Sequence, residues 1–198
     1  MIRPILFNSE MVRAILDERK SCTRRLVKPE PQGYFEVNEE PLYIYDTDGN
    51  QGKITPPYHP GDILYVRETW CKYDDDHIID GRKYAYKADV SPISEEARKK
   101  FGYRWHPSIH MPKEAARIWL KVIEVRVERL RDITETQAQA EGCNSGLLTG
   151  VCTARGQFED LWNSTIKKFD LDRYGWNASP WVWAIEFERC EKPEEDNR

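Results

Sequence analysis

Residues 18–29, ERKSCTRRLVKP, place Arg19, Lys20, Arg24, Arg25 and Lys28 within ten positions of a chain whose net charge is −4. Upstream, Ile2 to Phe7 is an apolar run containing Pro4 and reads as an edge strand. Asn8 or Ser9 can then cap a helix in which Met11, Val12, Ile15 and Leu16 share one face. That helix is expected to fade between Lys20 and Arg25, which puts the basic cluster at a helix C-terminus. Cations there complement the macrodipole, each by about 0.3–1 kcal/mol. One or two would suffice, and five also repel one another, so the dipole leaves part of the cluster unexplained. If the helix persists, Lys20 and Thr23 lie on one face. A lysine beside a hydroxyl can build a nucleophile without histidine, the amine taking the proton. Such a base works only where burial or neighbouring cations disfavour its charged form. Arg19, Arg24 and Arg25 are at hand, and Arg24 and Arg25 are also expected to hold an anionic or polar substrate.

The rest of the sequence sets bounds on that reading. At 198 residues the chain is one domain with insertions, or at most two small ones. Hydrophobic residues at 39% and charged residues at 32% fit a globular chain and exclude a disordered one. The acidic balance excludes a protein that coats nucleic acid generally, while leaving a local basic site open. Five cysteines, an odd count without a C-x-x-C pair, read as free thiols in a reducing compartment. The start carries no secretory signal and no run of 18 apolar residues occurs, so a cytoplasmic protein without a membrane span is expected. No cofactor is called for. His106 and His110 lie four apart, but Pro107 and Pro112 argue for an extended loop, and no metal is expected. Asp74-Asp75-Asp76 lacks the spacing of a calcium loop and reads as a solvated turn.

Working along the chain, residues 28–60 hold half of the prolines and include LYIYDTDGNQGKI, a hairpin about Asp48-Gly49. GDILYVRETW, 61–70, predicts a strand with Leu64, Val66, Glu68 and Trp70 on one side. Glu68 then points inward and needs a partner, for which Arg25 or Lys20 is the candidate, and it is itself a candidate to bind substrate. Residues 72–104 predict a polar hairpin with Asp80-Gly81 at its tip, and a short polar helix. In RWHPSIHMP, Trp105 is a candidate stacking platform for a base, and Ser108 and His110 are candidates to line a cleft. RIWLKVIEVRVERL, 117–130, is the most convincing strand. DITETQAQAEG predicts a helix capped by Thr134 and stopped by Gly142. Residues 144–156 are rich in Gly, Ser and Thr and predict a mobile loop. In GQFEDLWNSTIKKF, Phe158, Leu161, Trp162 and Ile166 share a helix face. PWVWAIEFERC closes the fold with Trp181, Trp183, Ile185 and Phe187 on one side, followed by a disordered acidic tail at 191–198. This order predicts an α+β fold with the strands curled into a small barrel.

Several of these stretches together resemble the ASCH superfamily, which shares the PUA-like barrel. ERKSCTRR is similar to its G-x-K-x-x-T-x-R pattern, with Lys20, Thr23 and Arg25 in register and Glu18 in place of the glycine. Glu18 is costly there if the position needs a positive φ. PGDILYVRETW, DITETQAQAEG and PWVWAIEFERC resemble the family's following strand, helix and last strand. RWHPSIHMP and the W-V-W-x-I-E-F ending resemble a phage- and prophage-type group. The resemblance implies a single ASCH domain over 1–190, with flanking helices and insertions at about 29–60 and 72–104. It also implies an amidohydrolase that deacetylates N(4)-acetylcytidine or a related modified pyrimidine, with Lys20, Thr23 and Glu141 as its catalytic set. Glu68 is the alternative to Glu141 as the working carboxylate. Other members resemble RNA-binding regulators, and some are ribonucleases. The expected partner is therefore a modified nucleoside or single-stranded RNA.

Overall fold

A computed structural model describes residues 1–31, 35–39, 42–46, 53–73, 83–90, 92–144 and 153–194. In chain order the first elements are β1 (Ile2–Leu6), α1 (Ser9–Leu16), β2 (Cys22–Leu26), β3 (Phe35–Glu39), β4 (Leu42–Asp46) and β5 (Lys53–Ile54). They are followed by β6 (Ile63–Arg67), β7 (Trp70–Lys72), β8 (Tyr84–Tyr86), α2 (Pro92–Lys100) and β9 (Trp119–Arg129). The last are α3 (Glu135–Ala140), α4 (Ala154–Thr165), α5 (Leu171–Tyr174) and β10 (Trp181–Cys190). The fold is α+β with mostly antiparallel pairing. Among the described residues the strand pairings do not close a barrel, and no helix is long and apolar enough to cross a membrane.

The chain forms two compact units, each assembled from separate segments. The first comprises Met1–Glu18, Ile63–Lys121 and the residues from Arg189 onward. Here β1 runs parallel to β6, from Ile2 opposite Ile63 to Leu6 opposite Arg67. The other side of β6 pairs antiparallel with the start of β9, Tyr65 facing Trp119. β1 stands at the edge of this order, where Pro4 is tolerated. α1 is capped by the Asn8 side chain, which accepts a hydrogen bond from Met11 N at 2.8 Å, and it buries Val12, Ala14 and Ile15. The helix ends at Leu16, sooner than its pattern predicts, and Glu18 then turns the chain with φ +59°. The predicted strand 61–70 breaks in two: β6 stops at Arg67, and Trp70 opens β7, pairing with Tyr86 of β8. Leu64, Val66 and Glu68 are buried as one face, whereas Trp70 belongs to the next ribbon. The predicted tip at Asp80-Gly81 and the Asp74-Asp75-Asp76 turn lie outside the described residues.

The second unit comprises Arg19–Asp62 and Val122–Glu188. In it β10 lies between β9 and β2, pairing antiparallel with β2 from Val182 opposite Leu26 to Glu186 opposite Cys22. A separate sheet, β3-β4-β5, contains the predicted hairpin, whose Asp48-Gly49 turn lies outside the described residues. Val182, Trp183, Ala184 and Ile185 are buried in succession, so β10 buries both faces in place of the one-sided pattern expected. α4 brings Phe158 and Trp162 into a core with Leu130, Ile133, Ala138 and Trp176, against which Leu161 and Ile166 pack. α4 begins within the Gly- and Ser-rich stretch predicted as a loop; 145–152 lie outside the described residues, as do 195–198 of the tail. α3 carries a full capping box, with the side chains of Thr134 and Gln137 each accepting from the other's backbone N–H. It is terminated by Gly142 at φ +91°, a left-handed position suited to glycine.

Candidate functional site

The opening stretch lies on a strand, not at the end of α1. Its first three residues after Glu18 cap a different helix, one reached more than a hundred residues later. Ser21 N donates to Ala140 O at 2.8 Å, Lys20 Nζ to Glu141 O at 2.9 Å, and Arg19 Nη1 to Gly142 O at 3.0 Å. The last carbonyls of a helix have no partner within it and carry the negative end of its dipole. The basic residues therefore do serve a helix C-terminus, but that helix is α3. No reading of local spacing could make this pairing, because it depends on the tertiary fold.

Glu141 is the C-cap residue of α3, and its backbone forms an isolated bridge with that of Lys20. Its carboxylate is 3% exposed and is held by two cations. Lys20 Nζ lies 2.6 Å from Oε2, and Arg24 Nη1 lies 3.1 Å from Oε1. Lys20 also donates to Cys22 O at 2.7 Å, so three acceptors surround its amine, the coordination of an ammonium with three N–H donors. The sequence reading asked for a base with its charge disfavoured; the structure surrounds it with a carboxylate and two carbonyls. Glu141 also helps suppress two thiols. Burial first, and then its charge, push Cys22 up to about 12 and Cys143 up to about 11, which leaves both protonated and inert.

Arg24, expected to hold substrate, is closed off by its own partners. Its side chain is fully buried; Nε donates to Glu128 Oε1 at 2.7 Å, Nη2 lies 2.5 Å from the same oxygen, and the guanidinium sits 5.7 Å from the Phe158 ring centre. Beyond Glu128 the charges continue to alternate. Arg126 Nε donates to Glu128 Oε2 at 3.0 Å, and Arg126 pairs further with Glu186. Along β2 the side chains alternate, so Thr23 and Arg25 share one face and Cys22 and Arg24 the other. The helical spacing that would have set Lys20 and Thr23 together does not apply on this strand. Thr23 is 2% exposed. Burial depresses the Arg25 guanidinium, while Glu141 and Tyr58 sustain its charge.

The remaining predicted residues belong to the first unit. Glu68 is buried, and its partner is Arg117, not Arg25 or Lys20. Arg117 Nε donates to Oε1 at 2.9 Å and Nη2 to Oε2 at 3.1 Å. The same guanidinium reaches Asp89, with Nη1 2.5 Å from Oδ2, and lies over the Tyr86 ring at 4.0 Å. Burial raises the Glu68 carboxyl above its ordinary 4.5 even though Arg117 works against this. Arg117, Lys83, Tyr84 and Tyr86 line a cavity of about 380 Å³. Trp105 is less available for stacking than its sequence suggests: its indole N–H donates to Glu95 at 3.0 Å, and Arg98 lies 5.1 Å from the centre of its ring. Ser108 and His110 begin and end a short 3-10 turn, Ser108 half-buried and His110 exposed. Among the described residues no group of His, Cys, Asp or Glu is placed to hold a metal ion. Arg117 and Glu128 escaped the sequence reading. An inward-facing Glu68 signalled that some cation must meet it, and the alternation of Arg126 and Glu128 in VRVER was the only sign of the second.

No model of a known protein family and no curated protein matches the chain. Among solved structures it is similar to a crystal structure of the hypothetical protein PH0355, with 14% sequence identity and a TM-score of 0.40 over 96% of this chain and 100% of that one.

Proposed function

We propose that this chain is a PUA-like protein of the ASCH type whose Lys20–Glu141 centre hydrolyses the amide of N(4)-acetylcytidine or a related acylated pyrimidine. The observation that carries the reading is the 2.6 Å contact between Lys20 Nζ and Glu141 Oε2, which joins two residues that the family resemblance selects from opposite parts of the chain. The nucleophile is the Thr23 hydroxyl or a water that it orients. Lys20 starts as an ammonium. Transfer of its shared proton to Glu141 frees the amine to accept the proton of the attacking O–H. That proton then passes to the exocyclic nitrogen as the C–N bond breaks, and Glu141 returns the one it holds. With water attacking, acetate and the free cytosine amine result; with Thr23 attacking, the amine leaves first and the acetyl group stays on the Thr23 oxygen until a water, deprotonated by Lys20 in the same way, hydrolyses the ester to acetate. Arg25, on the strand face of Thr23, offers a cation to the developing oxyanion.

Lys20 and Thr23 are almost closed to solvent, so binding requires a local opening of the site. The internal matching of Lys20, Arg24 and Arg19 leaves fewer basic groups for phosphates than the composition suggests, which favours a single modified base over an extended RNA strand. The test is release of cytidine and acetate from the acetylated nucleoside, with Lys20→Met and Glu141→Gln as controls. A fall in turnover of at least about a hundredfold to a measurable residual rate in both variants, with the fold retained by circular dichroism, is expected; full turnover in either variant would remove that residue from the mechanism.

A further inference from the structure

Arg24 is the one member of the buried network that neither the proposed chemistry nor the family pattern uses. Its position is nonetheless demanding: a fully buried guanidinium is retained only where its charge is met, and here two carboxylates meet it, although Nη2 makes no hydrogen bond. Three observations define what it does. It grips the oxygen of Glu141 that Lys20 leaves free. Its other edge is fixed by Glu128, which Arg126 fixes in turn. Its side chain has no exposed surface through which a substrate could touch it.

We infer that Arg24 is a positioning residue, locking the Glu141 carboxylate so that one oxygen alone faces the Lys20 amine. This rests on the proposed reading of Lys20 and Glu141, but its geometry can be tested separately. A carboxylate at a helix C-cap is poorly placed with respect to the helix dipole and would otherwise swing toward solvent. A lysine has a flexible stem and cannot fix a carboxylate plane; a guanidinium braced by a second carboxylate can.

Four variants read this out: Arg24→Met, Arg24→Lys, Glu141→Gln and the Arg24→Met/Glu141→Gln double. With N(4)-acetylcytidine, Arg24→Met is expected to lower kcat by about 100-fold at unchanged KM, as for a reacting group displaced by about an ångström. Arg24→Lys should fall between it and the wild type. In the Glu141→Gln background Arg24→Met should add less than about twofold, because both act through one group. A raised KM at unchanged kcat, or additive losses in the double variant, would overturn the assignment. The second readout is the Lys20 ammonium signal in a nitrogen-15 NMR spectrum, protected from exchange in the wild type by its three acceptors. It should weaken in Arg24→Lys and vanish in Arg24→Met. If Arg24→Met does not fold, Arg24→Lys decides: unchanged kcat together with an unchanged signal overturns the inference. If the wild type turns over no acetylated nucleoside, the functional reading fails and the ammonium signal alone judges Arg24.

Discussion

Among the described residues each unit buries one glutamate, and the two are treated differently. Glu141 receives two cations, one on each oxygen, and one of those cations is itself braced by another carboxylate. Glu68 receives one guanidinium, which it shares with Asp89. Glu141 thus has two cations at its own oxygens, whereas Glu68 has one, and that one also serves Asp89. At Glu68 burial raises the carboxyl above its ordinary range, Arg117 opposes that rise, and Asp89 adds to it. A buried carboxylate whose partner is shared has less to offset its burial than one held on both oxygens.

The sharpest way to break this contrast is Lys20→Met. Leaving Glu141 buried with a cation removed should cost about 3–5 kcal/mol in urea unfolding, and the Lys20→Met/Glu141→Met double should recover part of it. Arg117→Met should cost less, about 1–3 kcal/mol, because Glu68 can take up a proton, and the loss should be greater at pH 8 than at pH 5. If Arg117→Met costs as much as Lys20→Met at pH 5, the contrast fails. Glu68→Gln sharpens it further. A carboxyl raised in the folded state makes the native protein bind more protons than the unfolded chain, so its contribution is lost as pH climbs from the ordinary carboxylate range through the raised value. The melting temperature of Glu68→Gln should therefore rise relative to the wild type across that window; a flat difference would show that Glu68 does not titrate there. The smallest effect concerns Glu18, where the chain passes from the first unit to the second. Glu18→Gly relieves a left-handed non-glycine residue, and a gain of about 0.5–1 kcal/mol by thermal unfolding is expected after the flexibility of glycine is offset.

The penalty at Glu18 was legible in advance: the pattern that ERKSCTRR resembles holds glycine there, and the backbone is left-handed. The capping box at Thr134, the stop at Gly142 and the apolar face of α4 were legible for the same kind of reason, since each depends on residues within a few positions. The role of the basic cluster was not. Arg19 and Lys20 reach the end of α3 across more than a hundred positions, and the segment that carries them reads locally like the tail of α1. The partner of Glu68 was missed for a related reason. The inward face of β6 demanded a cation, but which arginine arrives depends on how β9 enters the sheet. Composition pointed to a surface for phosphates, whereas much of that charge is matched inside.

α3 has six residues, so its capped start and the Glu141 carboxylate at its end are only about 9 Å apart. A rod that short has no slack. A substitution as mild as Thr134→Ala would be transmitted to the carboxylate as misalignment, and under the proposed function a lost cap would show as slower turnover before it showed as a lower melting point.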